Sequence, residues 1–262
     1  MGYQTLTYQQ DETGIATIAL TVPEKRNAIS SRMIADLITA LDQAENGSSR
    51  VLILTGSGKA FCAGMDLDEL ENAAKQTLQE NLEEARRVTK LFSRLYSFPK
   101  PVIAAVNGAA IAGGCGLATL ADITIAVPQA KFGYTEVRLG FIPAIVAVFL
   151  RRRLGDKHLR ELLLTGRVMG ASDAFRVGLI TEIVPAEDLM DRAREIAGLL
   201  LEASPTAIAR TKKLLLSFEH TAVRAELEAA IEANADIRST PDFREGVAAF
   251  LEKRRPKWEA DS

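Results

Sequence analysis

An α/β fold is the class this sequence predicts, and three observations predict it. Apolar segments of strand length alternate with helical periodicity through the first half, and helical periodicity fills almost all of the second half. A glycine-rich stretch, "AGGCGLATLAD" (112–122), joins an apolar strand to a helix. "YQTLTYQQ" (3–10) alternates polar and apolar residues, whereas "IATIALTV" (15–22) and "RVLILTG" (50–56) are buried runs. Between them Met33, Ile34, Leu37, Ile38 and Leu41 share one face of a helix over 30–45, capped by Ser30 or Ser31. Residues 67–97 read as one long polar helix, exposed and mobile at its middle, followed by the strands "PVIAAVNG" (101–108) and "ADITIAV" (121–127). Beyond about residue 145 only "LITEIV" (179–184) has strand character, and 205–253 is helical with a break at Pro241. The expected organisation is a core over 1–200 and a helical region over 201–262 that packs on the core or on a neighbouring subunit.

Composition narrows the function classes. Over 262 residues, 32 Lys and Arg face 34 Asp and Glu, a balance that argues against a nucleic-acid coat, and aromatic residues at 6% are too sparse for base-stacking platforms. The longest apolar run, "FIPAIVAVFL" (141–150), is ten residues and includes Pro143, against the roughly 20 residues of a membrane span. The start, "MGYQTLTYQQDE", lacks the basic and apolar regions of a signal peptide, so a cytoplasmic location and no membrane partner are expected. Cys62 and Cys115 sit in Gly/Ala motifs without CxxC spacing and read as small core residues, so no metal site is expected.

The chemistry-bearing stretches are "VPEKRNAIS" (22–30), "GKAFCAGMDLDEL" (58–70), "VNGAAIAGGCGLATLADITIA" (106–126) and "AKFGYTEVRLGFIPA" (130–144). Glycine at a helix start costs about 1 kcal/mol against alanine, so "AGGCG" implies either tight packing or a ligand that approaches the main chain. Together, in this order and at these separations, the segments resemble the crotonase superfamily, the enoyl-CoA hydratases and isomerases. The resemblance extends to "ELLLTGRVMGASDAFRVGLITEIVP" (161–185) and "EGVAAFLEKRRPKW" (245–258).

That resemblance implies a crotonase-like spiral of ββα units with a C-terminal helical region. It implies an acyl-CoA thioester as substrate, with coenzyme A entering as part of the substrate and no separate cofactor. The main-chain N–H groups of Met65 and Gly113 match the donors that hold the thioester oxygen, where an enolate gains more from them than the neutral carbonyl does. Ala63 and Gly64 precede the first donor and Gly114 follows the second, and the helix start there favours negative charge. Glu136 matches the catalytic glutamate near the substrate's alpha carbon, and an apolar pocket is expected to raise its pKa. Its alternative use is an ion pair with Arg138. Lys25, Arg26 and Ala28 lie on the pantetheine and adenine route, and Asp66 and Leu67 on the substrate wall, with Asp66 or Asp68 also suited to capping the next helix. Lys253, Arg254, Arg255 and Lys257 stand equally for phosphate contacts or a solvated tail. Similar enzymes assemble as trimers or hexamers, so a homo-oligomer is expected.

One departure matters. Hydratases of this kind carry a second glutamate 20 residues before Glu136, and that position is Gly116. Gly116 is expected to open space for a bulkier acyl group or for a carboxylate carried by the substrate. Hydration of a short or branched 2-enoyl-CoA is the leading expectation, double-bond isomerisation with Glu136 as the lone base the next, and a non-catalytic acyl-CoA-binding protein or a thioester hydrolase the alternatives of other kinds. "LTGSGKAF" fails the phosphate-loop pattern because Lys59 is followed by Ala60. His158 and His220 fall outside every motif, which argues against a Ser-His-Asp hydrolase.

Overall fold

The computed structural model describes residues 2–218 and 220–258. Strand β1 (Leu6–Gln10) turns back antiparallel into β2 (Ile15–Leu20), with the Asp11 carboxylate accepting from the N–H groups of Thr13, Gly14 and Ile15. Helix α1 (Ser31–Asn46) starts at Ser30, whose hydroxyl accepts from Met33 N, and buries Met33, Ile34, Leu37 and Leu41 as the periodicity predicts. Three successive units then share one pattern: a strand, a second short strand, and a helical segment. The first is β3 (Val51–Gly56), β4 (Ala60–Cys62), α2 (Leu67–Ala73) and α3 (Leu78–Tyr96). The second is β5 (Val102–Val106), β6 (Ala109–Ile111) and α4 (Gly113–Thr119). The third is β7 (Ile123–Ala126), β8 (Lys131–Gly133), a 3-10 turn (Glu136–Leu139) and α5 (Ala144–Leu150).

With β9 (Val168–Gly170) and β10 (Glu182–Ile183) added, first strands of the units enter one sheet of order β1-β2-β3-β5-β7-β10, parallel from β2 onward, and second strands enter another of order β4-β6-β8-β9. Here α6 (Asp156–Thr165) leads to β9, and α7 (Ala171–Arg176) to β10. Repetition of the unit makes the spiral. It also sets the exits of β4, β6 and β8 side by side, because these strands pair in parallel in that order. Each exit becomes one wall of the site.

The stretch 67–97 is two helices rather than one. Thr77 caps α3, its hydroxyl and main chain exchanging bonds with Glu80, and this capping box ends the α2 segment. The middle of the stretch is exposed at Lys75 and over residues 77–80, as expected, while Glu84, Ala85, Val88, Leu91 and Phe92 form a buried face of α3. "LITEIV" shrinks to the two residues of β10. The tail is α8 (Leu189–Glu202), α9 (Pro205–Ser217), α10 (His220–Asp236), a 3-10 turn (Ile237–Ser239) and α11 (Pro241–Leu251). Helix α10 packs on α3 and α5, and α11 packs on α2 and on the turn that begins at Glu136. Cys62 and Cys115 are buried, with burial pushing each thiol up to about 12. Among the described residues, no helix is long and apolar enough to cross a membrane.

Candidate active site

The exits of β4, β6 and β8 face a cavity of about 820 Å³ whose walls include Ala28, Ala63, Met65, Gly113, Glu136 and Phe141. At the β4 exit, Ile29 pairs with the chain around Met65: Ile29 N donates to Gly64 O at 2.7 Å and Asp66 N donates to Ile29 O at 2.9 Å. In a parallel ladder the residue between those two bonds turns its own N–H the other way, so the amide of Met65 is directed away from Ile29. Gly64 has φ +91°, and a Cβ there would lie 2.9 Å from Ile111 O, so only glycine fits without strain.

At the β6 exit, Ala112 adopts φ +50° and ψ −124°, a conformation that an L-residue rarely takes. Its N–H is held by Gly133 O at 2.7 Å and its carbonyl by Gly116 N at 3.0 Å. The distortion starts α4 abruptly at Gly113, whose N–H, as the first of a helix, has no acceptor within it. A Cβ built on Gly64 would stand 3.1 Å from Ala112 Cβ and 3.7 Å from Gly113 N, so the two bends are in contact.

At the β8 exit, Glu136 opens the 3-10 turn. It is 7% exposed, and its Oε2 is buried without a hydrogen-bond partner among the described residues. Desolvation raises its pKa to about 7. Among the described residues it forms no ion pair with Arg138, although Arg138 shares the cavity wall. The turn is seated from both sides. Tyr134, two residues earlier and fully buried, bonds Thr119 of α4 at 2.9 Å, and α11 closes over the other side. A Cβ on Gly246 would meet the Leu139 carbonyl at 2.3 Å, and one on Gly140, at φ +61°, would meet Asp242 O at 2.4 Å.

The remaining predicted positions separate into two groups. Lys25, Arg26, Ala28, Asp66 and Leu67 line the cavity with Ala63. Lys25 lies 2.9 Å from both Asp66 and Asp68, which hold its ammonium pKa above the ordinary lysine value, while Asp66 caps α2 by accepting from Asp68 N. Gly64, Gly114 and Gly116 instead face protein. A Cβ on Gly114 would fall 2.2 Å from Cys62 O, so this glycine lets α4 lie against β4. On Gly116 it would fall 2.8 Å from Val146 Cγ1 and 3.5 Å from Phe92 Cζ. The expectation of opened space is therefore corrected: Val146 and Phe92 fill the volume that a longer side chain would need. Arg254 of the tail pairs with Glu245 and Glu252. Asp122 accepts from Val102 N and from Lys212, a structural use, and the side chain of His220 lies outside the described residues.

Sequence reasoning passed over Asn27, quoted within a motif but not singled out. Fully buried at φ +54°, it accepts from Val22 N and donates to Ser57 O and Ala60 O, which ties the "PEKRNA" bend to β4. Its signal was an amide in a charged turn beside an apolar run. Asn234, Arg238 and Phe250 of the tail also reach the cavity, and no local pattern marks them.

A spiral of ββα units whose adjacent strand exits offer two turned-out amides and one buried acid defines an enzyme of the crotonase fold. The chain belongs to the enoyl-CoA hydratase/isomerase family, whose model matches residues 10–261. A provisionally named enoyl-CoA hydratase of Thermus thermophilus is 40% identical over 251 residues, covering 95% of this chain and 99% of that protein. The short-chain-enoyl-CoA hydratase of Clostridium acetobutylicum is 33% identical, covering 94% of each. In three dimensions, an enoyl-CoA hydratase/isomerase from Xanthobacter autotrophicus superposes with a TM-score of 0.88 at 30% identity, over 98% of this chain and 100% of that one.

Proposed function

We propose that this family member hydrates short or branched 2-enoyl-CoA thioesters, with the amides of Met65 and Gly113 on the thioester oxygen and Glu136 as the single proton carrier. The observation that carries the reading is Glu136: a buried carboxyl beside the two bends, with a pKa of about 7 and an uncommitted oxygen. At neutral pH such a group both accepts and gives a proton. As the carboxylate it takes a proton from water while the water oxygen bonds C3, and the electron pair of the double bond moves to the enolate. Returning that proton to C2 collapses the enolate. Water, C3, C2 and oxygen balance with one acid, provided that the enolate is held long enough. Removing one donor of this kind costs about a hundred- to a thousandfold in rate.

The relatives support the reaction, since the similar Clostridium protein is a short-chain-enoyl-CoA hydratase. A second reading, isomerisation of a 3-enoyl-CoA to the 2-enoyl isomer, is favoured by Gly116, because Val146 and Phe92 leave no second carboxylate at that point. Lys25 and Arg26 at the cavity mouth are assigned to the coenzyme A side, a trimer or hexamer to the assembly, and the cytoplasm to the location. Incubation with crotonyl-CoA and with a 3-enoyl-CoA in heavy water, followed by mass spectrometry, tests the choice. Hydration adds water and one deuterium at C2; isomerisation moves the double bond without adding water; free thiol alone would mean hydrolysis and end the proposal.

A further inference from the structure

One polar cluster in the cavity wall takes no part in the proposed chemistry. Arg238, 3% exposed, lies between α10 and α11 and reaches the α3 helix. Its guanidinium donates to Asn81 Oδ1 at 3.1 Å, pairs with Glu84 Oε2 at 3.1 Å, and donates to Asn234 Oδ1 at 3.1 Å. It also stands 5.4 Å over the Phe141 ring. Asn234, 5% exposed, and Arg238 both line the cavity.

Helix α3 measures how far this cluster lies from the chemistry. Its Phe92 is 3.6 Å from a Cβ built on Gly113, beside the proposed thioester oxygen. Val88, one turn earlier, lines the cavity, and Glu84 and Asn81 follow on the same face. At 1.5 Å per residue, Glu84 stands about 12 Å along the helix from Phe92. The charged residues of the "PEKRNA" bend, the coenzyme A side of the proposed function, meet the start of α2, where Lys25 pairs with Asp66 and Asp68, whereas Asn81 of the cluster donates to Ala73 O at the end of that helix. The cluster therefore faces the acyl chain.

The chemistry of the cluster limits what it recognises. Because the Oδ1 of Asn234 is occupied by Arg238, the amide is oriented with Nδ2 left to donate to a ligand, beside the Arg238 Nε, which is buried without a hydrogen-bond partner among the described residues. The charge on Arg238 is already balanced by Glu84, so a carboxylate arriving there would be desolvated without a counter-charge of its own. We infer that Asn234, positioned by Arg238, selects acyl chains that carry an uncharged oxygen, a hydroxyl or a keto group, remote from the thioester. The inference rests on the acyl-CoA reading of the cavity and names its substrate class.

The test compares three series of saturated acyl-CoA thioesters matched in chain length, ending in methyl, in a hydroxyl or keto oxygen, and in a carboxylate. Their affinity for the wild-type protein is read by displacement of a fluorescent acyl-CoA. Saturated chains make this readout independent of turnover, so failure of the hydration reading does not touch it. Failure of every series to bind would instead contradict the acyl-CoA reading itself and the inference with it. The oxygen-bearing chain is expected to bind about tenfold tighter than the methyl-ended one, and the carboxylate-ended chain weakest. In Asn234→Leu the ratio of the first two should fall to one or below, while Arg238→Lys, which keeps the charge but loses the fork, should shrink it. Equal binding of methyl and oxygen ends by the wild-type protein, preference for the carboxylate, or an unchanged ratio in Asn234→Leu would overturn the inference.

Discussion

The amide wall and the carboxyl wall of the cavity are built on opposite terms. At the β4 and β6 exits the proposed functional groups are main-chain N–H groups, and the side chains around them are small because backbone meets backbone: Gly64 against Ile111 O, Gly114 against Cys62 O. At the β8 exit the proposed chemistry falls to one side chain, and the surrounding packing, Tyr134 beneath and α11 above, holds and dries it. The lesson is that substitutions at the first wall act through shape, whereas at the second they act through charge.

The sharpest way to break this contrast is Glu136→Gln. It keeps volume and removes the proton carrier, so turnover should fall by about 10²–10⁴ while acyl-CoA binding persists; steady-state rates beside a binding titration check it. Comparable turnover in the variant would mean that the second wall is not chemical. Gly114→Ala should act differently, losing folded protein rather than only rate, because its Cβ would fall 2.2 Å from Cys62 O and main chain cannot step aside. A loss on the order of 3 kcal/mol or more in urea unfolding is expected, as for overpacked cores.

A pH experiment sharpens the comparison. The folded pKa of Glu136, about 7, lies above its unfolded value near 4.3, so the native state holds the extra proton between them. Stability from this group is present below the unfolded pKa and is lost as pH rises through about 7, by roughly 4 kcal/mol in full. Glu136→Gln should therefore be more stable than the parent at pH 8 and little different at pH 4, by urea midpoints. Smallest of all, Met65→Leu should leave kcat/KM within about threefold, since the role assigned to residue 65 belongs to its amide and the swap conserves volume.

How much of this the sequence disclosed depends on how local each feature is. The strands β2, β3, β5 and β7 are apolar runs and were legible, but β4, β6, β8 and β9 have three residues each, too few for any period to register. That Met65, Gly113 and Glu136 share one cavity was legible because each lies inside a contiguous motif whose glycines record a backbone need. Gly116 was misjudged for the complementary reason. What occupies the space beside it is Val146, 30 positions on, and Phe92, 24 positions back, and neither is visible from "GGCG". The Arg238 cluster was silent too, since its partner Asn81 lies 157 residues away.

Bound substrate reports the central claim, two amides polarising one thioester oxygen, through the oxygen itself. The carbonyl stretch of an acyl-CoA labelled with carbon-13 at the thioester should move to lower frequency in the wild-type complex than in water, and should remain shifted in Glu136→Gln. A stretch at or above its value in water, with the ligand demonstrably bound, would contradict it.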